Sequence, residues 1–301
     1  MRRTQSAVKS LIRSPRLSRL AQESAVRDLA LPYFAGEHLE DAVAAAADLR
    51  RKGLWVSFAH LASEEAELDT AVELGRLLEA LGDGAQDAEL SVRPSDLGLR
   101  ESTQLARETL TDLCVEAADA GTSVTLEMQG HAEYAETLAL YRTVAAHHPN
   151  LGLTLPVDIR RAERDARDLA RDAARVRICV GSYPAPAQVA YRSEHEKSLA
   201  LVRCLRILLE SGAYTMLATH DPRVINIAQE LAHRNNRTPQ DFEFQMLMGV
   251  RPLEQRRLVD IGLKCRTYIP FGPAWYEYLA VRIAARPRTL WSYARAVLDK
   301  R

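Results

Sequence analysis

Tyr278 and Arg282 lie four residues apart in WYEYLAVRIAARP (275–287), with Arg286 one turn further, so a helix there carries a phenol and two guanidinium groups on one face. A guanidinium matches a carboxylate or phosphate with paired hydrogen bonds, so the chemistry in view is capture of a small anion. Spacing alone leaves a second arrangement open, in which Arg282 and Arg286 are solvated while Trp275, Tyr276 and Tyr278 pack. Thr219, His220, Asp221 and Pro222 are another candidate group. They join a strand end to a helix start, where free backbone N–H groups favour phosphate and His220 adds a donor. A helix cap by Thr219 or Asp221 accounts for the same residues.

Such groups need elements that bring them together. Short β-rich runs recur at 54–60, 89–94, 123–128, 151–156, 176–181, 214–219, 242–247 and 264–269. Between them, 63–82, 101–120, 132–148, 160–174, 193–211, 221–235 and 252–262 have helical periodicity, with Leu105, Leu110, Leu113 and Ala117 along one face. This alternation predicts an α/β fold, a distorted (βα)8 TIM-type barrel of parallel strands with right-handed crossovers. A doubly wound sheet is the alternative, but no strand is followed by GxGxxG. Residues 23–50 read as helical, and two helices follow the last strand, 273–286 and 287–300, broken at Pro287. One of them is expected over the barrel mouth. The organisation expected is one domain over 1–301, with an N-terminal helical arm (1–50), the barrel (54–269) and C-terminal helices (273–300). Barrel sites lie at the C-terminal strand ends. The polar residues there are His60, Arg93, Glu127, Gln129, Asp158, Arg177, Tyr183, His220, Asp221, Gln245 and Tyr268.

Forty basic and forty acidic residues cancel, which argues against nucleic acid as a partner. The cysteines Cys114, Cys179, Cys204 and Cys265 have neither CxxC nor zinc-ligand spacing, so the default compartment is reducing and cytoplasmic. His60, His131, His147, His148, His195 and His233 share no helical spacing with carboxylates, so no metal is expected. Ser182 and Ser211 lack a GxSxG context. No apolar run approaches the roughly 20 residues that span a bilayer. The basic segment 1–22 reads as a helix or frayed arm, or as a transit peptide or membrane-surface helix, and leaves room for peripheral contact with an anionic membrane.

Taken in order, YFAGEHLEDAV (33–43), SVRPSDLGL (91–99), LEMQGHAEYAETLALYR (126–142), VRICVGSYPAPAQVAY (176–191), ATHDPRVI (218–225), FEFQMLMG (242–249), CRTYIPFG (265–272) and WYEYLAVRIAARP resemble the proline dehydrogenase family over about residues 30–295. The resemblance implies a distorted eight-stranded barrel that oxidises proline to a cyclic imine and passes electrons from FAD to a quinone; the expectation for this chain is oxidation of the C–N bond of an amino acid or related amine, with a quinone or oxygen as acceptor. The resemblance implies that Arg177 lies near the flavin N5 and acts in catalysis with Tyr268. It places Gly181 where the backbone approaches the cofactor, Thr219 and His220 at the pyrophosphate or ribityl region, and Gln129 and Gln245 around the ring or ribityl chain. Arg93, Leu247, Tyr268, Tyr278, Val281 and Arg282 would form the substrate pocket.

The departures fall in that pocket. Val281 stands where the family has the first of two carboxylate-binding arginines, and Ala285 where it has a glutamate. Arg93 and Val180 replace lysines, Ala59 an aspartate and Pro156 a glutamine. Losing one charge-assisted contact of about 1.5–3 kcal/mol weakens proline binding roughly tenfold to a hundredfold. Two outcomes fit. Arg93 and Arg282 form a re-sited clamp for a different or larger amino acid or amine, or the chain is a degenerate ligand-binding homologue. Authentic L-proline oxidation is the further alternative.

Overall fold

The computed structural model of the protein describes residues 27–28, 30–181, 183 and 185–285. The basic segment 1–22, Ser182, Arg286 and the helix expected at 287–300 lie outside the described residues. Eight parallel strands close into a barrel in sequence order: β1 (Trp55–His60), β2 (Glu89–Val92), β3 (Ser123–Leu126), β4 (Leu151–Pro156), β5 (Arg175–Cys179), β6 (Tyr214–Ala218), β7 (Phe242–Leu247) and β8 (Cys265–Phe271). Helices α2 (Thr70–Leu81), α3 (Thr103–Asp119), α4 (Tyr134–Ala145), α5 (Ala162–Arg171), α6 (Glu194–Leu209), α7 (Pro222–Arg234) and α8 (Pro252–Asp260) connect them. Before β1 comes α1 (Leu39–Arg51), and after β8 comes α9 (Trp275–Ala285).

Local chemistry sets the boundaries. Ser102, Ser193 and Asp221 cap α3, α6 and α7 by accepting from the first free N–H groups. Pro94 has no N–H to give a ladder, so β2 stops at Val92, two residues short of expectation, and a 3-10 turn follows over Pro94–Leu97. The helix expected from residue 63 becomes α2 only at Thr70, because Ala66 leaves helical geometry. On α3 the buried stripe is Ala106, Leu110, Leu113, Cys114 and Ala117, whereas Leu105, expected there, is 36% exposed beside the cap.

Alternation along the strands puts Val56, Phe58, Leu90, Val92, Val124, Leu126, Val176 and Ile178 in the main core. The opposite residues meet inside the barrel, and they are charged. Arg177 on β5 ion-pairs with Glu89 on β2, and donates to Ser91 Oγ at 2.8 Å and Gln245 Oε1 at 2.6 Å. Glu89 also accepts from Ser57 at 2.7 Å and Thr125 at 2.8 Å. Arg266 on β8 grips both oxygens of Glu243 at 2.6 and 2.9 Å, and Gln245 Nε2 joins the two pairs by donating to Glu243 at 2.6 Å. Two arginines and two glutamates cancel in charge, and each is 5% exposed or less.

Burial alone would raise the Glu243 carboxyl, but Arg266 and the hydrogen bonds hold it down at about 2, against an ordinary 4.5. Its folded value is depressed, so its stabilisation is present above pH 4.5 and is lost as pH falls towards 2. Denaturant melts across that window should show a level unfolding free energy from pH 7 to about 5 and a steep fall below about 4.5. A level profile down to pH 2.5 would contradict this.

Helix α9 rests on a separate small cluster of Ala30, Phe34, Leu61 and Trp275. Trp275 stacks on Phe34 with ring centroids 4.7 Å apart, and its Nε1 donates to Glu37 at 3.1 Å. This fixes the start of α9 beside the C-terminal strand ends.

Candidate active site

A cavity of about 550 Å³ opens at the C-terminal ends of the strands, with α9 as one wall. Every expected site residue lines it: Arg93, Gln129, Arg177, Gly181, Thr219, His220, Gln245, Leu247, Tyr268, Tyr278, Val281 and Arg282. Its size is in the range of small-molecule and cofactor sites.

The floor is the fixed guanidinium of Arg177. Burial opposes its charge, yet Glu89 and Glu127 raise its proton affinity, so it is a permanent cation locked in one orientation. The amides of both expected glutamines are engaged within the protein. Gln245 bridges Arg177 and Glu243, and Gln129 accepts from Ser95 N–H and donates to Ser95 Oγ, both at 3.0 Å. Gly181 donates its N–H to Asp158 at 2.7 Å, and a Cβ there would sit 2.6 Å from the same carboxylate, so close packing alone requires glycine.

Tyr268 donates to Glu127 Oε1 at 2.8 Å, and Ser91 donates to the same oxygen at 2.8 Å. Burial, reinforced by Glu127, pushes the Tyr268 phenol well above its ordinary range, so it remains a neutral donor. Tyr278 and Arg282 meet on α9 as their spacing predicts: the guanidinium donates to the phenol oxygen and lies 4.9 Å from the ring centroid. Arg93 also reaches the cavity, but Asp96 holds it through two contacts of 2.8 Å, so its charge is balanced before any ligand arrives. Val281, Val180 and Leu247 supply apolar wall.

At the start of α7 the helix-cap reading of the Thr219–Pro222 turn holds. Asp221 caps the helix by accepting from Arg223 N–H at 2.9 Å, and Thr219 and His220 still line the cavity. His220 Nε2 accepts from Leu247 N–H at 3.0 Å, which places the ring proton on Nδ1. Two strand-end residues stand apart from the cavity. His60 bonds Thr70 at 3.2 Å, with burial lowering its proton affinity, and Asp158 serves Gly181. Glu89, Ser91 and Glu243, which fix Arg177 and Gln245, were not among the expected site residues. Their signal was polar alternation on β2 and β7 facing an apolar set. All four cysteines are free. Among the described residues no three metal-ligating side chains gather, and no helix is long and apolar enough to cross a membrane.

The family described as Proline dehydrogenase matches residues 186–282. Proline dehydrogenase 1 of Bacillus subtilis subsp. natto is 30% identical over 288 residues, covering 94% of this chain and 95% of its own. The chain belongs to the proline dehydrogenase family. Proline dehydrogenase of Deinococcus radiodurans is a further relative, 28% identical over 291 residues with 94% of each chain covered. The crystal structure of proline utilization A from Bdellovibrio bacteriovorus inactivated by N-propargylglycine has the same barrel, with a TM-score of 0.79 at 19% identity over 89% of this chain. This chain spans only 33% of that larger protein. As a proline dehydrogenase homologue the chain is an oxidoreductase acting on a CH–NH donor, in a family that is flavin-dependent and implies a small-molecule substrate and an electron acceptor.

Proposed function

We propose that the protein uses FAD to oxidise the C–N bond of an amino acid or related amine, and that its substrate differs from, or is larger than, proline. The observation that carries this reading is one cavity lined both by an immobilised cation, Arg177, and by the Tyr278–Arg282 pair. The residues fit a flavin on two grounds. Arg177 is a preorganised cation in a buried floor, and Thr154, which lines the cavity, has a buried hydroxyl with no hydrogen-bond partner among the described residues. Arg177, Gly181, Thr219 and His220 would hold the group. When bound, FAD supplies the acceptor for hydride from the carbon beside nitrogen, leaving an imine.

The chain's own residues do the remainder. Arg282, oriented by Tyr278, binds the substrate carboxylate, with Arg93 as a second positive charge already shared with Asp96. Tyr268 keeps its proton and is aimed by Glu127, so it orients the substrate without acting as a base. Val281 removes one positive charge from the clamp and leaves apolar wall for a side chain that proline lacks. Catalysis then rests on positioning and electrostatics.

The test is the visible spectrum of purified protein, followed by anaerobic bleaching with cyclic and acyclic amino acids and amines. Yellow protein bleached by an amino acid or amine other than proline is expected. Protein that cannot be loaded with FAD ends the enzyme reading, and rapid bleaching by L-proline would favour ordinary proline oxidation.

A further inference from the structure

Two of the buried polar side-chain atoms without a hydrogen-bond partner among the described residues belong to residues that line the cavity, Arg93 Nη2 and Thr154 Oγ1. Arg93 Nη2 has an ion-pair partner in Asp96 at 2.8 Å. Thr154 has no such relief. Thr154 is 7% exposed, and an unsatisfied hydroxyl so placed carries a desolvation penalty in the apoprotein.

Its position points to what relieves that penalty. Thr154 on β4 is in register with Arg177 on β5, so the two side chains lie on the same face of neighbouring strands, and both residues line the cavity. Pro156, the next residue on the same face of β4, lines the cavity without a side-chain donor. Thr154 is therefore the polar side chain that β4 offers. The substrate-side groups Tyr268, Tyr278 and Arg282 come from β8 and α9, and β8 stands opposite β4 in the ring of strands. A ligand touching Thr154 is thus the one lying against Arg177.

Resting on the flavin reading above, we propose that the Thr154 hydroxyl is a hydrogen-bonding contact to the isoalloxazine of FAD bound beside Arg177, the one polar side chain on the β4 side of that ring. It makes Thr154 a cofactor-positioning residue that carries a cost in the apoprotein and repays it on binding.

The test compares wild type, Thr154→Val and Thr154→Ser as apoproteins, measuring FAD affinity by fluorescence titration and thermal midpoint without ligand. Valine keeps the shape and removes the hydroxyl; serine keeps the hydroxyl. The expected result is a three- to tenfold rise in Kd for FAD in Thr154→Val, about the worth of one hydrogen bond. Thr154→Ser should stay within about twofold of wild type, and the apoprotein midpoint of the valine variant should be unchanged or higher. A valine variant whose Kd stays within twofold of wild type overturns the inference, since water then satisfies the hydroxyl. A valine apoprotein that melts lower or fails to fold, with serine restoring it, overturns it too, because the hydroxyl would have a partner inside the protein. Wild-type protein that binds no FAD fails at the earlier step and refutes the flavin reading itself.

Discussion

Replacing Arg266 with methionine is expected to lower the unfolding free energy by about 3–5 kcal/mol, the cost of stranding a buried charge. Methionine retains much of the aliphatic stem, so the loss reports the guanidinium. Arg266 is 2% exposed, grips both oxygens of Glu243, and donates to the carbonyls of Val56 and Asp87 at 2.8 and 2.9 Å. Without it, burial lifts the Glu243 carboxyl. The folded value then exceeds the unfolded one, protonation favours the folded state, and the deficit shrinks as pH falls. Adding Glu243→Gln should recover part of the loss at neutral pH. Urea melts of both variants at pH 7 and 5 check this, and a loss below about 1 kcal/mol would show that the network is not a stabilising unit.

Arg282→Ala is expected to reduce kcat/KM about a hundredfold for whichever amino acid bleaches the wild type, mainly through KM, with FAD affinity unchanged. The proposed carboxylate contact is removed, while the groups expected to hold the cofactor lie on the strands and in the turns that follow them. Arg282→Lys should recover only part, because an ammonium cannot reproduce the paired geometry or the stacking over Tyr278 seen at 4.9 Å. Stopped-flow reduction with a substrate series separates the two constants. Unchanged turnover in the alanine variant would move the carboxylate site elsewhere.

Much of the fold is legible in the sequence because eight β-rich runs separated by helical periodicity have few ways to bury both faces. The strand-end residues are legible for the same reason, since closure of the barrel gathers them at one mouth. The partnerships are less so. Arg177 and Glu89 are 88 residues apart, and polar alternation on a single strand reads as well for a solvated face as for a charged interior. Only eight strands together make the inside dry. The local pairing of Arg93 with Asp96 lies within reach of sequence, three residues apart at the head of a turn, and it alters the expected clamp by pre-empting one of its charges. The bond from Leu247 N–H to His220 belongs to tertiary contact alone.

The footing of α9 on Ala30, Phe34, Leu61 and Trp275, apart from the main core, has an evolutionary consequence. Tyr278, Val281 and Arg282, three of the residues proposed to contact substrate, sit on a helix that packs on a cluster separate from the main core. Changes there cost little foldedness and add nearly independently to changes below. Substitutions on α9, at Val281 for example, can therefore alter that wall of the cavity while the Arg177 floor stays intact.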